Sequence, residues 1–249
     1  MAAQRTGPGP GSGRRRSVWD LPEQGARGPK GRQSRAAIAA VAVALADAEG
    51  LDAVTMRRVA TGVGLGTMSL YNYVPAKEQL VQLMIDHVGG EYRYPGEPAA
   101  DVRQAIIDLA RQGRDITQRH PWLPQVMHAP PAFGPNTLRY IDYFLGLLRR
   151  TSLDTAAKME LLGLVNGFAL SYGGVQATLA EERARTGVTA EQQAAAPVQA
   201  LVTAAATGRY PELAAALAGP AAPPRDADEV FCSALRRLVE GFLGRDATA

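Results

Sequence analysis

The stretch Thr55–Lys77, TMRRVATGVGLGTMSLYNYVPAK, decides the fold. Thr55 is an N-cap for a short helix whose inner face is Met56, Val59, Ala60 and Val63, and Val54 and Val59 form a hydrophobic staple around the cap. Gly64 ends that helix at a position that calls for positive φ. The chain becomes helical again from about Gly66 to Tyr73, held to the core by Leu65, Leu70 and Val74, and Pro75 stops it. Two short helices across a tight glycine turn make the helix-turn-helix pattern. Ala60 is small enough for the two helices to cross closely. The second helix then turns Thr67, Ser69, Tyr71, Asn72 and Tyr73 outward, with Met68 at the edge. Hydroxyl, amide and phenol groups suit base edges and phosphate oxygens in a major groove. The alternative, an ordinary polar hairpin surface, leaves the exposed aromatic pair unexplained. This helix carries no Lys or Arg, so attraction to phosphate falls to Arg57, Arg58, Lys77, Arg35 and residues further upstream.

The flanking sequence extends the helical pattern. Ile38, Val41, Ala42, Leu45 and Ala48 follow i, i+3, i+4 spacing between a Ser34 cap and a Gly50 stop, which predicts a first helix. A fourth runs from about Ala76 to His87 and buries Leu80, Leu83, Met84 and Val88. Beyond Gly89-Gly90, the breaks at Pro, Gly-Pro and Gly positions predict helices over 99–119, 122–129, 135–150, 153–184, 190–206, 211–218 and 226–243. No stretch alternates with period two for long enough to form a strand. The expected class is all-α: a basic arm over 1–33, a helix-turn-helix domain over 34–80, and a helical C-terminal domain over 81–249.

Charge separates the arm from the body. Residues 1–33 hold seven Lys/Arg against two acids, a net +5 in a chain of net +3, which leaves −2 for residues 34–249. The arm is rich in Gly, Pro and Arg and is expected to be disordered, with order starting at Ser34. Its run Arg14-Arg15-Arg16 suits a narrow minor groove beside the main contact. The single cysteine, Cys232, excludes an intramolecular disulfide and points to the reducing cytoplasm. The arginines are followed by Val18-Trp19-Asp20-Leu21-Pro22, which is not the apolar run of a secretory leader. The longest apolar run, Ala36 to Ala46, is too short for a membrane span. His87, His120, His128 and Cys232 show no metal-ligand spacing, and no phosphate loop is present, so no catalytic residue, metal or cofactor is expected.

At Met56-Arg57-Arg58-Val59-Ala60 and Gly66-Thr67-Met68-Ser69-Leu70-Tyr71 the sequence resembles the tetracycline-repressor (TetR) family of bacterial regulators, over Ser34 to His87. The resemblance implies DNA contacts at Thr55, Met56 and Arg57, base and backbone contacts at Thr67, Met68, Ser69, Tyr71, Asn72 and Tyr73, and a phosphate contact at Lys77. Gly66 stands where the family often has serine, and Ala76 where it commonly has a small polar residue. His120-Pro121-Trp122-Leu123 and Gly134-Pro135-Asn136 resemble a branch found in actinomycetes, whose members often control drug-export or antibiotic-pathway genes. The resemblance further implies a homodimer, through a four-helix bundle made by helices 153–184 and 226–243, and a small-molecule effector.

Small residues Gly163, Gly167, Ala169, Gly173 and Gly174 permit close approach on the first of those helices, and Phe231, Leu235, Leu238, Val239 and Phe242 form an apolar face on the second. Trp122, Met127, His128, Phe133, Asn136, Tyr140, Tyr143, Phe144, Asn166 and Tyr172 combine large apolar faces with a few polar handles and are the candidate pocket residues. The expected function is a ligand-responsive repressor that releases operator DNA when an effector binds. The alternative is a DNA-binding activator, or a regulator governed by a protein partner.

Overall fold

The computed structural model describes residues 17–20, 34–95, 101–127, 133–219 and 225–244. Among these residues there are eleven α-helices and no strand: α1 Arg35–Glu49, α2 Met56–Gly62, α3 Thr67–Tyr71, α4 Lys77–Gly89, α5 Val102–Arg119, α6 Leu123–Val126, α7 Pro135–Leu147, α8 Thr155–Thr186, α9 Ala190–Ala205, α10 Pro211–Leu217 and α11 Ala227–Leu243. None is long and apolar enough to cross a membrane. The chain forms two compact units, one of residues 1–87 with 131–134, the other of residues 88–130 with 135–249.

Local signals place the ends of the first unit's helices. Ser34 accepts from the Ala37 N–H and Gly50 follows α1 at φ 83°. The Thr55 hydroxyl accepts from the Arg58 N–H at the start of α2, and Gly64 turns the chain at φ 71°. The buried face of α1 is Ile38, Ala39, Ala42, Val43 and Ala46; Val41 and Leu45 lie at its margin and Ala48 is exposed, so the face is rotated from the expected one. Gly62 sets the distance between α2 and α1, because a Cβ there would stand 2.6 Å from Val41 Cγ1. Helix α3 ends at Tyr71, two residues short of expectation, and Met68 is fully outside the core.

The arm also departs from expectation. Val18–Asp20 form a 3-10 turn, with Val18 fully buried. Residues 1–16 and 21–33, including Arg14, Arg15 and Arg16, lie outside the described residues.

In the second unit α5 packs along α8. Gly113 leaves room for the Tyr92 hydroxyl, and a Cβ at Gly173 would meet the Arg114 carbonyl oxygen and Thr117 Cβ, each at 2.8 Å. Ala169 and Gly173 are therefore buried inside the chain rather than offered to a partner, whereas Gly163 and Gly167 face open space and Gly174 touches Pro124. Helix α11 is corrected in the same way. Phe231, Leu235 and Val239 are fully buried in the unit's own core with Ile106, Phe144, Leu161 and Val165, and Leu238 and Phe242 pack against it. Arg111 and Arg114 both reach Asp228 on α11, Arg114 at 2.6 Å, and their hydrogen bonds hold that carboxyl below its ordinary range. Helices α9 and α10 bury no residue.

The α5–α8 contact makes a paired test. Gly173→Ala should lose about 1–3 kcal/mol, because neither opposing backbone nor Thr117 can give way easily. Gly146→Ala on α7, with open space around it, should be neutral or gain up to about 1 kcal/mol from helix propensity. Denaturant unfolding of both variants checks the contrast.

Candidate nucleic-acid interface and effector cleft

The outward face of α3 is built from what it buries. Leu70 and Val74 are 0% exposed and Val59, Ala60 and Val63 close the core beneath them. Backbone bonds from Tyr73 and Val74 to the Leu70 carbonyl tighten the end of the helix. Opposite this anchor, Met68 is 78% and Tyr71 41% exposed, Ser69 and Asn72 are exposed, and Thr67 and Tyr73 are half-buried. At the start of α2, Thr55 and Arg57 are exposed and Met56 is half-buried; Lys77 is exposed at the start of α4. The structure thus brings these ten residues to one unit, with the α3 side chains projecting beyond a packed base.

Two of the cations expected to attract phosphate are used otherwise. Arg35 is 6% exposed and its Nε donates to the Tyr73 carbonyl at 3.3 Å, tying α1 to the end of the recognition segment. Arg58 makes a two-pronged ion pair with Glu49, at 2.8 and 2.5 Å. Hydrogen bonds from Arg58 hold the Glu49 carboxyl below its ordinary range. Arg57 and Lys77 remain as exposed cations on this unit. The local sequence does not distinguish Arg57 from Arg58, since the partner Glu49 lies on another helix.

The ten candidate pocket residues fall in several places. Tyr140, Phe144 and Asn166 meet in the core of the second unit, where the Tyr140 hydroxyl donates to Asn166 Oδ1 at 2.5 Å. Tyr172 belongs to a separate cluster with Phe168 and Phe231, and its hydroxyl donates to the Ala227 carbonyl at 2.8 Å. Trp122 is fully buried beside His120, and His120 ends α5 with its Nε2 2.8 Å from Glu91. Asn136 lies near Gly89. Met127 and Phe133 are exposed, and His128 lies outside the described residues.

Tyr143 alone among the ten lines a cleft of about 230 Å³, with Pro95, Gln104, Asp108, Leu109 and Gln112 among its walls. Sequence reasoning did not reach Tyr92 and Tyr94, which sit in the break after α4. The Tyr92 and Tyr140 rings are 4.6 Å apart and the Tyr94 and Tyr143 rings 4.7 Å apart. Burial pushes the Tyr92 and Tyr140 phenols well up, so they remain neutral donors. Burial likewise raises Tyr94, against the opposing pull of Arg139, whose guanidinium stands 4.9 Å from its ring. The Tyr94 hydroxyl is buried and makes no hydrogen bond, a costly state that a polar ligand atom would relieve. Alternating tyrosines at 92 and 94 were the available signal.

Known proteins match both units. Residues 38–84 match the family of bacterial regulatory proteins called tetR, and residues 94–245 match the tetracyclin repressor-like C-terminal domain. The HTH-type transcriptional repressor DrrR1 of Streptomyces coeruleorubidus is 34% identical over 230 residues, covering 90% of this chain and 83% of that one. The crystal structure of ActR from Streptomyces coelicolor in complex with actinorhodin is similar at a TM-score of 0.70 and 25% identity, covering 88% of this chain and 99% of that one. A possible TetR family transcriptional regulator from Streptomyces coelicolor A3(2) is 30% identical with a TM-score of 0.58, covering 83% and 97%. With a helix-turn-helix held on a packed base, and with matches that run through both units, the chain belongs to the TetR family of bacterial regulatory proteins, and its role is regulatory rather than enzymatic.

Proposed function

We propose that the protein is a cytoplasmic, dimeric transcriptional repressor that binds operator DNA through α3 and the start of α2, and that releases it when a small molecule occupies the second unit. One observation carries the DNA part. A helix too short to be stable alone is pinned by two fully buried residues, while Met68, Ser69, Tyr71 and Asn72 stand exposed on its other side. In a major groove, the Asn72 amide and the Thr67, Ser69 and Tyr71 hydroxyls meet base edges and phosphates, and Met68 and Tyr73 supply apolar contact. Thr55, Met56 and Arg57 flank them, and Lys77 neutralises phosphate. Arg14, Arg15 and Arg16 add contacts from the arm in the adjacent minor groove.

The homodimer is built on α8 and α11, as the family resemblance implies. The surfaces available for it are Met159, Gly163, Leu164 and Gly167 on α8 and Val230 and Gly241 on α11. A two-fold axis then places two recognition helices about 34 Å apart, one DNA turn.

The effector site is the cleft lined by Tyr143. Tyr143 supplies its ring and Leu109 an apolar wall, Gln104, Asp108 and Gln112 supply polar atoms, and Tyr94 packs against Tyr143 with a buried hydroxyl that lacks a partner. This suits a planar aromatic molecule with polar edges. The relatives named above fit a repressor that takes a small molecule: DrrR1 is a repressor, and ActR forms a complex with actinorhodin. Control of an antibiotic-related or efflux gene follows from that analogy. Occupancy acts by population shift, with about 5 kcal/mol of differential binding needed for a full switch.

Three outcomes test the reading. In fluorescence anisotropy with the protein's own upstream DNA, Tyr71→Ala should weaken specific binding by about five- to 150-fold, the range of one base contact worth about 1–3 kcal/mol, and leave the salt slope unchanged. Lys77→Ala should instead reduce the slope by about 1. Aromatic polyketides titrated into the complex should release it. Tyr143→Ala should raise the concentration needed at least tenfold, with operator affinity in the absence of compound unchanged. Specific binding that no compound disturbs would overturn the effector half and favour control by a protein partner.

A further inference from the structure

Residues Ser17–Asp20 form a self-contained turn inside an otherwise Gly/Pro/Arg-rich arm. The Asp20 carboxylate accepts from the Ser17 N–H at 3.1 Å, the Ser17 hydroxyl accepts from the Trp19 N–H at 3.3 Å, and the Asp20 N–H donates to the Ser17 carbonyl at 3.1 Å. The Ser17 and Asp20 side chains thus each accept from a backbone N–H of the turn itself, a local closure of the kind short polar side chains favour. The turn then buries Val18 and half-buries Trp19 against the first unit. Val18 is 0% exposed, and the Trp19 ring lies against Gly134, where a Cβ would stand 2.5 Å from its Cζ2 and overlap the carboxyl of Asp86 on α4. Asp86 is itself 2% exposed. The missing side chain at 134 is therefore what makes the slot. The indole Nε1 is buried and makes no hydrogen bond, so the ring is held by shape alone.

Position along the chain gives this docking a consequence. Arg14, Arg15 and Arg16 lie two to four residues before Val18. We propose that Val18–Trp19 is an anchor, seated in the slot made by Gly134 and Asp86, which holds the arginine run beside the operator. This rests on the reading of the arm as a DNA contact. Asp86 is nine residues along α4 from Lys77, about 14 Å at helical rise. Two extended residues reach about 7 Å and four about 14 Å, so of the run tethered at Val18 it is Arg14 whose backbone can cover that distance, and Arg15 and Arg16 fall at points along the way. With the anchor seated, Arg15 is three residues from Val18; with about 12 residues inserted between them it would be about 15 away. Effective concentration falls roughly as the −3/2 power of tether length, which makes the anchor worth about tenfold in affinity.

The test is a cycle on the full chain, read as operator affinity over a salt series with a thermal melt of each protein. Trp19→Ala and deletion of residues 1–16 should each weaken binding about tenfold and reduce the salt slope by about 2 to 3, at about 0.9 for each phosphate no longer neutralised. The combined variant should lose nothing further. Trp19→Phe should keep most of the affinity, and Gly134→Ala, which fills the slot, should reproduce the loss with the indole intact. A Gly-Ser insertion of about 12 residues between Arg16 and Ser17 leaves turn and slot untouched, and so stays informative if Trp19→Ala fails to fold; it too should cost about tenfold. The anchor is refuted if the insertion and Trp19→Ala bind normally while the deletion does not, since the arm then works untethered. It is equally refuted if Trp19→Ala costs as much after the deletion as before it, since the turn is then structural. A deletion without effect removes the reading of the arm itself.

Discussion

The burial of Leu70 and Val74 is the constraint on which this structure depends. Helix α3 has five residues, and a helix of that length does not persist by its own hydrogen bonds, because nucleation costs more than so few bonds return. Its orientation is set by the two side chains that enter the core of the first unit, and by the Gly64 turn that delivers it there. Everything on the opposite side inherits its geometry from that packing. Arg35 reinforces it from α1 by donating to the Tyr73 carbonyl, just past the end of the helix. A residue that looks like a DNA contact by charge thus acts on the interface by bracing the backbone behind it.

The second unit rests on a different kind of closeness. Helices α5 and α8 approach through Gly173, where a side chain would meet the Arg114 carbonyl and Thr117, while Gly113 makes room for the Tyr92 hydroxyl. That contact consumes small residues that would otherwise suit a subunit interface, and it turns α11 inward so that Phe231, Leu235 and Val239 complete the core. The face of α8 left open is the one bearing Gly163 and Gly167. Around the other side of the same core, Tyr92, Tyr94, Tyr140 and Tyr143 gather polar tips in an apolar setting. Such a setting raises the cost of an unpaired hydroxyl, and the Tyr94 hydroxyl is in that state.

Much of the architecture was legible in the chain. Ser34 and Thr55 cap the helices they were expected to cap, Gly50 and Gly64 take positive φ, and the breaks at Pro and Gly positions bound the later helices closely. The exposed face of α3 was legible too, because an anchored helix-turn-helix leaves one side of a short helix no choice but solvent. The pocket was much less so. Aromatic residues at helical spacing serve a core and a cleft alike, and of the ten candidates only Tyr143 reaches the cleft. The arm concealed its turn because four residues barely alter the composition of thirty-three, although Ser17 and Asp20 are short polar residues of the kind that bond to nearby backbone.

The division follows the range of the forces. Caps, stops and turns are satisfied within three or four residues, by a side chain and a backbone group that chain connectivity keeps close, so sequence alone determined where helices begin and end and that the class is all-α. Which face of α8 turns inward, whether Arg58 meets DNA or Glu49, and where Trp19 finds its slot depend on partners brought together from other helices. For a helix such as α8, with apolar and small residues on every side, many packings satisfy the local pattern equally well. Only the tertiary structure chose among them, through the close contact of Gly173 with α5.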